Sequence, residues 1–417
     1  MVASYLKANA ELVRNYFSVI SGSAGRLVIS LAYFVALANT LSIAEFGLFA
    51  TASATGVVLS RLVSFGFVSP LYRISTVKPQ LIGAYTGGYL AAVVVSLPIF
   101  ILAAYLTHLF FFGADLPLGT FAVIVATEAL LWRSLEVVVI VNNGLNRFGR
   151  AALLVIVGTA LRAIAAVLFA FSTIGNLAIW SWWYAGANGV ALAVAVLFFY
   201  PRVRLRLVPK LYRRRLADSF AVTGAEVLFY VQSEMDKLLV LAVGGPQTAG
   251  VYAIIMRLVD LTALPVRSFN MMLVQKLMRT PDMLKSLKIR GGLELGVFLV
   301  STLGLAALAI FLAIFPQALG ANVASVVSLL PLVLLVPGLR NLIEYQAEIL
   351  YARGQSGLRA LNLALLGGAK AALLSWILVT FLDSHDWMIW LNAMFALLYL
   401  LSAFLTYRAI RKPARRV

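Results

Sequence analysis

The stretch AIWSWWYAGANGVALAVAVLFFY (178–200), followed at once by PRVRLRLVPKLYRRRL (201–216), decides the fold. The first part carries no charged residue and is long enough to cross a bilayer core, which takes roughly 20 apolar residues in a helix. The second part is strongly basic, and basic connections next to membrane helices stay in the cytoplasm. This stretch therefore predicts a membrane helix that ends on the cytoplasmic side.

The same alternation of apolar run and connection continues in both directions. The chain is 62% hydrophobic and only 12% charged, with a mean hydropathy of +0.95. Soluble domains are usually about half apolar and a quarter charged, so most of this chain belongs in a bilayer. The apolar runs predict twelve membrane spans, at 17–38, 46–68, 81–107, 119–141, 150–171, 178–200, 219–243, 248–274, 292–314, 322–345, 358–381 and 387–408.

Charge in the connections predicts the orientation of these spans. Lysine and arginine fall in every second connection and in both tails, whereas the alternate connections hold Glu45, Asp115, Asp383, Asp386 and both histidines. Adding or removing one span would reverse every connection after it. The expected fold class is an all-α polytopic membrane protein of about twelve helices with both termini in the cytoplasm.

The largest predicted connection, residues 201–218, divides the chain into an N-terminal lobe of six helices (1–200) and a C-terminal lobe of six helices (219–417) with a basic tail. A weak internal repeat supports this division. LSIAEFGLFA (41–50) precedes the second span, and GGPQTAGVYA (244–253) precedes the eighth. Aligning Gly47 with Gly250 places similar residues at equivalent points of the two halves, as in transporters built from repeats.

Several classes of protein are excluded or disfavoured. The net charge of +18 lies between apolar segments rather than on one face of a soluble domain, so we expect no nucleic-acid partner. The chain has no cysteine and only two histidines, both in predicted external loops, so we expect no metal site. No phosphate-binding loop of the Walker type is present, which argues against direct use of ATP.

Charged residues inside the spans are the strongest sign of function, because each costs roughly 2.5–3.5 kcal/mol to insert. Some can neutralise one another: Arg257 and Asp260 are three apart on one helix face, and Glu128 of the fourth span could meet Arg162 of the fifth. The intramembrane cations are Arg26, Arg61, Arg133, Arg162, Lys237, Arg257 and Lys370, and the acids are Glu128, Glu226, Glu234, Asp236 and Asp260.

This surplus of cations favours a water-filled cavity that receives an anion, since the planar guanidinium suits phosphate oxygens. As a group, Arg26, Arg61 and Arg257 are the favoured lining residues. Simple pairing remains the favoured interpretation for Arg133, Arg162 and Lys370.

SEMDKLLVL (233–241), GGPQTAGVYA (244–253) and RLVD (257–260) resemble the polysaccharide flippases (Wzx-type) of the multidrug/oligosaccharidyl-lipid/polysaccharide (MOP) superfamily, which is MATE-like. These flippases commonly carry a Ser-x-x-Asp-Lys stretch in helix 7, followed by Gly-x-x-x-x-x-Gly-x-Tyr. The first half repeats the pattern in AEFGLFA (44–50).

The resemblance implies two six-helix lobes around a central cavity that opens alternately to either side. Its implied cargo is an undecaprenyl-pyrophosphate-linked oligosaccharide, moved across the bacterial cytoplasmic (inner) membrane for export of O-antigen, capsule or exopolysaccharide. A polysaccharide polymerase and a chain-length regulator are candidate partners, beside the membrane lipids. No cofactor is implied other than a proton or sodium gradient as a candidate energy source.

We assign the candidate site residues to this cavity according to the helix on which each of them lies. Arg26, Arg61, Arg257 and Lys237 are the candidate pyrophosphate-binding residues, and Asp236, Glu234 and Glu226 are the candidate ion-coupling carboxylates. We expect no catalytic residue.

Two other functions stay open at this point. A MATE-like cation or drug antiporter would line its cavity with acids and aromatics, and the carboxylates of the seventh span keep it in consideration. A membrane polysaccharide polymerase or O-antigen ligase would require a long external loop with catalytic basic residues. The predicted external loops are short and lack lysine and arginine, which disfavours an enzyme.

Overall fold

A computed structural model describes residues 25, 27–172, 175–213, 215–263, 266, 269–270, 273, 286–382 and 386–410. Within these ranges the chain is almost entirely helical and contains no strand. The helices are α1 (Leu27–Thr40), α2 (Ile43–Leu59), α3 (Val68–Val77), α4 (Ile82–Phe111), α5 (Leu118–Ala126), α6 (Arg133–Gly144), α7 (Phe148–Ala170), α8 (Leu177–Val194), α9 (Leu216–Thr262), α10 (Leu287–Ile314), α11 (Val336–Ala352), α12 (Ser356–Phe381) and α13 (Trp387–Ile410).

Within the described residues, each predicted span coincides with a helix, with a pair of helices or with one half of α9. Among the described residues, seven helices are individually long and apolar enough to cross a membrane, or up to nine when each bent pair counts as one span. A π-helical turn (Thr127–Trp132) joins α5 to α6, so this pair matches the fourth predicted span. The beginning of the first span and the end of the eighth lie outside the described residues.

Helix α9 contains two spans rather than one. Its 47 residues would extend about 70 Å at 1.5 Å per residue, more than twice the roughly 30 Å of a bilayer core. The helix is broken at Gly245, whose φ of 72° and ψ of 179° suit glycine, and Pro246 follows. This break falls between the predicted spans 219–243 and 248–274, as expected.

Two spans predicted as continuous are broken instead. Between α2 and α3 the chain bends by 48°, and Ser64, Phe65 and Gly66 all have positive φ there. A second bend of 51° separates the helical turn Val327–Val333 from α11. Such breaks expose backbone groups, which are tolerated at membrane depth only where protein or water satisfies them.

The outer surface of α4 shows why the chain requires lipid. Val94, Val95, Ile101 and Phe110 are all at least 60% exposed on this helix. A stripe of large apolar side chains along a helix would be unfavourable in water, whereas hydrocarbon accommodates it.

The chain forms two compact units. One contains the described residues of Ala32–Ala253, and the other those of Ile254–Val417 together with the described residues before Ala32. The first unit has apolar clusters around Leu71 and Leu154, and the second has one around Tyr345. The predicted boundaries at residues 200 and 219 stay a prediction.

The basic connection packs against α4 within the first unit. The backbone carbonyls of Arg204 and Arg206 lie where a Cβ on Gly83 or Gly87 would stand, at 2.2 and 2.3 Å. The hydroxyl of Tyr212 donates to the carbonyl of Ala84 at 2.7 Å. Small residues at the start of α4 therefore let the connection lie directly on the helix.

The two glycines aligned by the internal repeat contact each other. A Cβ on Gly47 would lie 2.4 Å from the Gly250 nitrogen and 2.5 Å from the Pro246 carbonyl oxygen. A Cβ on Gly250 would lie 1.9 Å from the Ile43 carbonyl oxygen. Each glycine thus packs on the backbone of the other's segment, and such reciprocal contacts are typical of elements related by a two-fold axis.

Candidate functional site

Four charged side chains of the first unit form one cluster, which we call the arginine–glutamate cluster: Arg61, Arg133, Glu136 and Glu226. Arg133 contacts Glu136 and Glu226, each at 3.0 Å. Arg61 contacts Glu136 at 3.3 Å and Glu226 at 3.9 Å. Two sequence-predicted site residues, Arg61 and Glu226, are therefore brought together.

Three separate elements supply these side chains. Arg61 follows α2 at the break before α3, Arg133 and Glu136 lie one turn apart on α6, and Glu226 lies on the first half of α9. At the break, the backbone N–H of Ser64 donates to the hydroxyl of Ser96 at 2.9 Å, which satisfies one exposed backbone group.

Gly66 allows the break to approach α9 closely. A Cβ at this position would lie 2.4 Å from the Ser219 carbonyl oxygen and 2.7 Å from the Thr223 hydroxyl. Its φ of +68° also favours glycine. The break therefore positions Arg61 near Glu226 through backbone contact between the two elements.

The arginines of the cluster are buried and the glutamates are partly open. The side chains of Arg61 and Arg133 are each 5% exposed, against 31% for Glu136 and 34% for Glu226. The guanidinium of Arg61 also lies 4.1 Å from the ring centroid of Tyr230. Two positive and two negative charges cancel, and such pairing is what a buried guanidinium needs. The Nε atoms of both arginines are buried without a hydrogen-bond partner.

Further along α9, the other predicted residues form local contacts. The amine of Lys237 contacts the Glu234 carboxylate at 2.5 Å, one helical turn away. Asp236 is buried and accepts a hydrogen bond from the hydroxyl of Tyr252 at 2.6 Å. This bond joins the two halves of α9 across the break at Gly245.

Arg257 belongs to the other unit. Its guanidinium donates to the hydroxyl of Ser30 on α1, and the described residues place no carboxylate within salt-bridge distance of it. Asp260 instead contacts Arg340 at 3.2 Å, so the suggested pairing of Arg257 with Asp260 is replaced by these contacts. Arg26 lies outside the described residues.

A second buried ion pair confirms the predicted contact between Glu128 and Arg162, at 3.3 Å. The carboxylate of Glu128 also accepts hydrogen bonds from the hydroxyls of Ser53 and Tyr184. Arg162 lies 3.7 Å from the ring centroid of Trp132. Glu128 and Trp132 both belong to the π-helical turn, a feature that is frequent at functional sites.

Glu136 is the site residue that the sequence reasoning missed. It stands three residues after Arg133, a spacing that places both side chains on one helix face. That spacing was the available signal. Arg133, for which simple pairing was the favoured interpretation, contacts Glu226 of α9 as well.

Comparison with known proteins finds similarity of fold only. No family model matches the sequence, and no curated protein matches it. Among solved structures, the chain is similar to an inward-facing multidrug resistance MATE family transporter of the MOP superfamily (TM-score 0.58, 13% identity, 93% of this chain and 94% of that chain). It is also similar to an outward-facing multidrug resistance MATE family transporter (TM-score 0.59, 13% identity, 96% of each chain).

A third similar structure is a MOP superfamily transporter from Pyrococcus furiosus, described as having a binding pocket of reverse polarity that suggests a different function (TM-score 0.54, 13% identity, 96% of each chain). Together these similarities show the fold. This multi-pass membrane protein has the MATE-like fold, with about twelve membrane helices in two lobes.

Proposed function

We propose that the chain is a flippase that moves an undecaprenyl-pyrophosphate-linked oligosaccharide across the bacterial cytoplasmic (inner) membrane by alternating access. Its product would serve export of O-antigen, capsule or exopolysaccharide, beside a polymerase and a chain-length regulator. The fold supports a transporter, because similar structures include inward-facing and outward-facing transporters.

The observation that carries this proposal is the burial of Arg61 and Arg133 side by side. The two guanidiniums share both carboxylate partners, so their donor groups converge on a small region. Converging guanidiniums suit phosphate oxygens, which accept several charge-assisted hydrogen bonds at once. Arg257, whose guanidinium donates to a neutral hydroxyl, is a further candidate for the pyrophosphate, with Lys237 and Arg26.

A MATE-like cation or drug antiporter is the second candidate. Buried Asp236, held by Tyr252, is the observation that favours it. The Pyrococcus furiosus transporter, whose binding pocket has reverse polarity, supports keeping a cargo of either charge with this fold. A polymerase or ligase is the least favoured function, because similar folds belong to transporters.

Energy input is part of the same proposal. Asp236, Glu234 and Glu226 are candidate carboxylates for coupling to a proton or sodium gradient, since all three lie on the first half of α9. Intramembrane carboxylates commonly serve as proton or ion relays.

Flipping in proteoliposomes tests the proposal. The full chain is reconstituted with a fluorescent undecaprenyl-pyrophosphate-linked oligosaccharide, and the fraction reached by an impermeant quencher is followed over time. Arg61→Ala and Arg257→Ala should each lower the flipping rate at least tenfold, because each removes a charged donor worth about 1.5–3 kcal/mol.

Arg150→Ala is the matched control, because Arg150 is exposed at the start of α7. This variant should flip the lipid-linked oligosaccharide at the original rate. Unchanged flipping in both Arg61→Ala and Arg257→Ala would exclude a role for these arginines in binding the pyrophosphate. Absence of flipping by the original chain, together with efflux of a cationic dye, would establish the antiporter instead.

A further inference from the structure

Glu226 differs from Glu136 in how it reaches the two arginines. Glu136 lies on α6 three residues from Arg133, so the contact between them is kept when α6 moves as a rigid helix. Glu226 is 93 residues from Arg133 in sequence and belongs to α9. The bond from Glu226 therefore exists only while α9 stays packed against α6 and the break after α2.

The contacts of the cluster have the pattern of a phosphate site. Each carboxylate uses a single oxygen, Oε2, between the two guanidiniums, and each arginine gives one terminal nitrogen to each of these oxygens. Two oxygens held between two arginines is an arrangement that a pyrophosphate can reproduce with its own oxygens. Glu226 Oε2 thus holds a position between the two arginines that a substrate oxygen can take.

Because Arg61 and Arg133 are buried, their charges need a negatively charged group beside them. The side chains of Arg61 and Arg133 are only 5% exposed, so removal of Glu226 without replacement would leave an uncompensated charge. Glu226 itself is 34% exposed, which gives it a route out of the cluster. The buried, unpartnered Nε atoms of both arginines leave further donors for an anion with more oxygens than a carboxylate.

We propose that Glu226 is an internal substitute for the substrate's phosphate, which it yields when the pyrophosphate of the cargo binds Arg61 and Arg133. Arg133 is thereby a substrate-binding residue, and Glu136 remains as its permanent partner. This inference rests on the proposed function and adds a specific exchange to it.

The exchange also links binding to helix movement. The beginning of α9 is held to the break after α2 by the packing of Gly66 on Ser219 and Thr223, and by the ion pair of Glu226 with Arg61. Replacing Glu226 by a mobile anion removes the ionic part of this attachment. Cargo binding therefore loosens the attachment of the first half of α9 to the break after α2 and to α6, and in the unoccupied site Glu226 restores it.

Binding of inorganic pyrophosphate to the detergent-purified full chain tests the exchange. Glu226→Gln keeps the size of the side chain but removes the competing charge, so it should bind pyrophosphate roughly tenfold more tightly than the original chain. Arg133→Ala, alone or with Glu226→Gln, should bind at least tenfold more weakly. Glu348→Gln is the matched control, because Glu348 contacts Arg359 at 2.9 Å with similar exposure, 31%, in the other unit. Its affinity should be unchanged.

The outcomes separate the exchange from the flippase function. Equal pyrophosphate affinity in the original chain and in Glu226→Gln would overturn the exchange, even where the flipping assay succeeds. A gain in Glu226→Gln that persists after Arg133→Ala would also overturn it. Competition by phosphatidylglycerol as strong as that by pyrophosphate would assign the site to bulk phospholipid and not to the cargo. Failure of the original chain to flip any lipid-linked oligosaccharide would reject the function, whatever the affinities.

Discussion

At the scale of single residues, Arg162 shows how the chain keeps a cation inside an apolar helix. Its guanidinium has three kinds of partner: the Glu128 carboxylate, the amide oxygen of Asn188 at 2.8 Å, and the Trp132 ring. A charge–ring contact of this kind adds about 1–2 kcal/mol when it is shielded from water. These partners hold the guanidinium within the first unit, so we assign it to stability rather than to cargo binding.

Removal of Arg162 should therefore destabilise the fold. Arg162→Ala leaves the buried carboxylate of Glu128 without its counter-ion, and breaking a buried pair costs about 3–5 kcal/mol. Arg150→Ala on the same helix removes an exposed arginine and should cost less than about 1 kcal/mol. Thermal unfolding of both variants in detergent measures the difference, and equal melting temperatures would contradict the structural role of the pair.

At the scale of helices, Gly47 and Gly250 determine how closely α2 and the second half of α9 approach. The hypothetical Cβ distances of 2.4 and 1.9 Å are too short for any side chain, and the obstructing atoms belong to backbone. Backbone cannot rotate away as a side chain can. The two helices would have to separate to accept even a methyl group.

Gly47→Ala should accordingly destabilise the chain by about 1–3 kcal/mol and slow any movement that keeps this contact. Gly224→Ala is the internal control, since a Cβ at Gly224 of α9 meets nothing within 4 Å. That change should be neutral or stabilising by up to about 1 kcal/mol, because alanine favours a helix over glycine. A melting temperature of Gly47→Ala equal to that of Gly224→Ala would refute the close contact.

At the scale of the whole molecule, the broken spans matter because they change what the charged residues can reach. A straight second span would continue α2 past Arg61 along one axis. The bend of 48° and the positive φ values of Ser64, Phe65 and Gly66 redirect the chain there, beside α9. The break thus does two things: it ends α2 at a buried arginine, and it provides the glycine on which α9 packs.

The orientation of the whole chain in the membrane, with both termini in the cytoplasm, is also a prediction. Because the chain has no cysteine, single cysteines can be introduced without any background. Asp115→Cys, in a predicted external loop, should react with an impermeant maleimide on intact cells. Arg204→Cys, in the basic connection, should react only after the cells are permeabilised, and the unsubstituted chain should not react at all. The reverse pattern would place both termini outside.

The sequence by itself determined the number and approximate limits of the membrane spans, because the free energy of transfer into a bilayer adds up locally along a helix. It also pointed to Arg61 and Glu226 as unusual residues and to the contact of Glu128 with Arg162, since an ionisable group in a span is costly wherever it occurs. The spacing of three residues between Arg133 and Glu136 also indicates that these two side chains pair on one helix face.

Only the tertiary structure decided which charges share one cluster. Glu226 reaches Arg133 across 93 residues, because the first half of α9 packs on Gly66 at the break of the second span. Such contacts leave no periodic signal in the sequence, because they depend on how helices pack and not on the apolar character of any single run. For this reason the surplus of cations was visible in the sequence, whereas the exchangeable partner of the arginines was not.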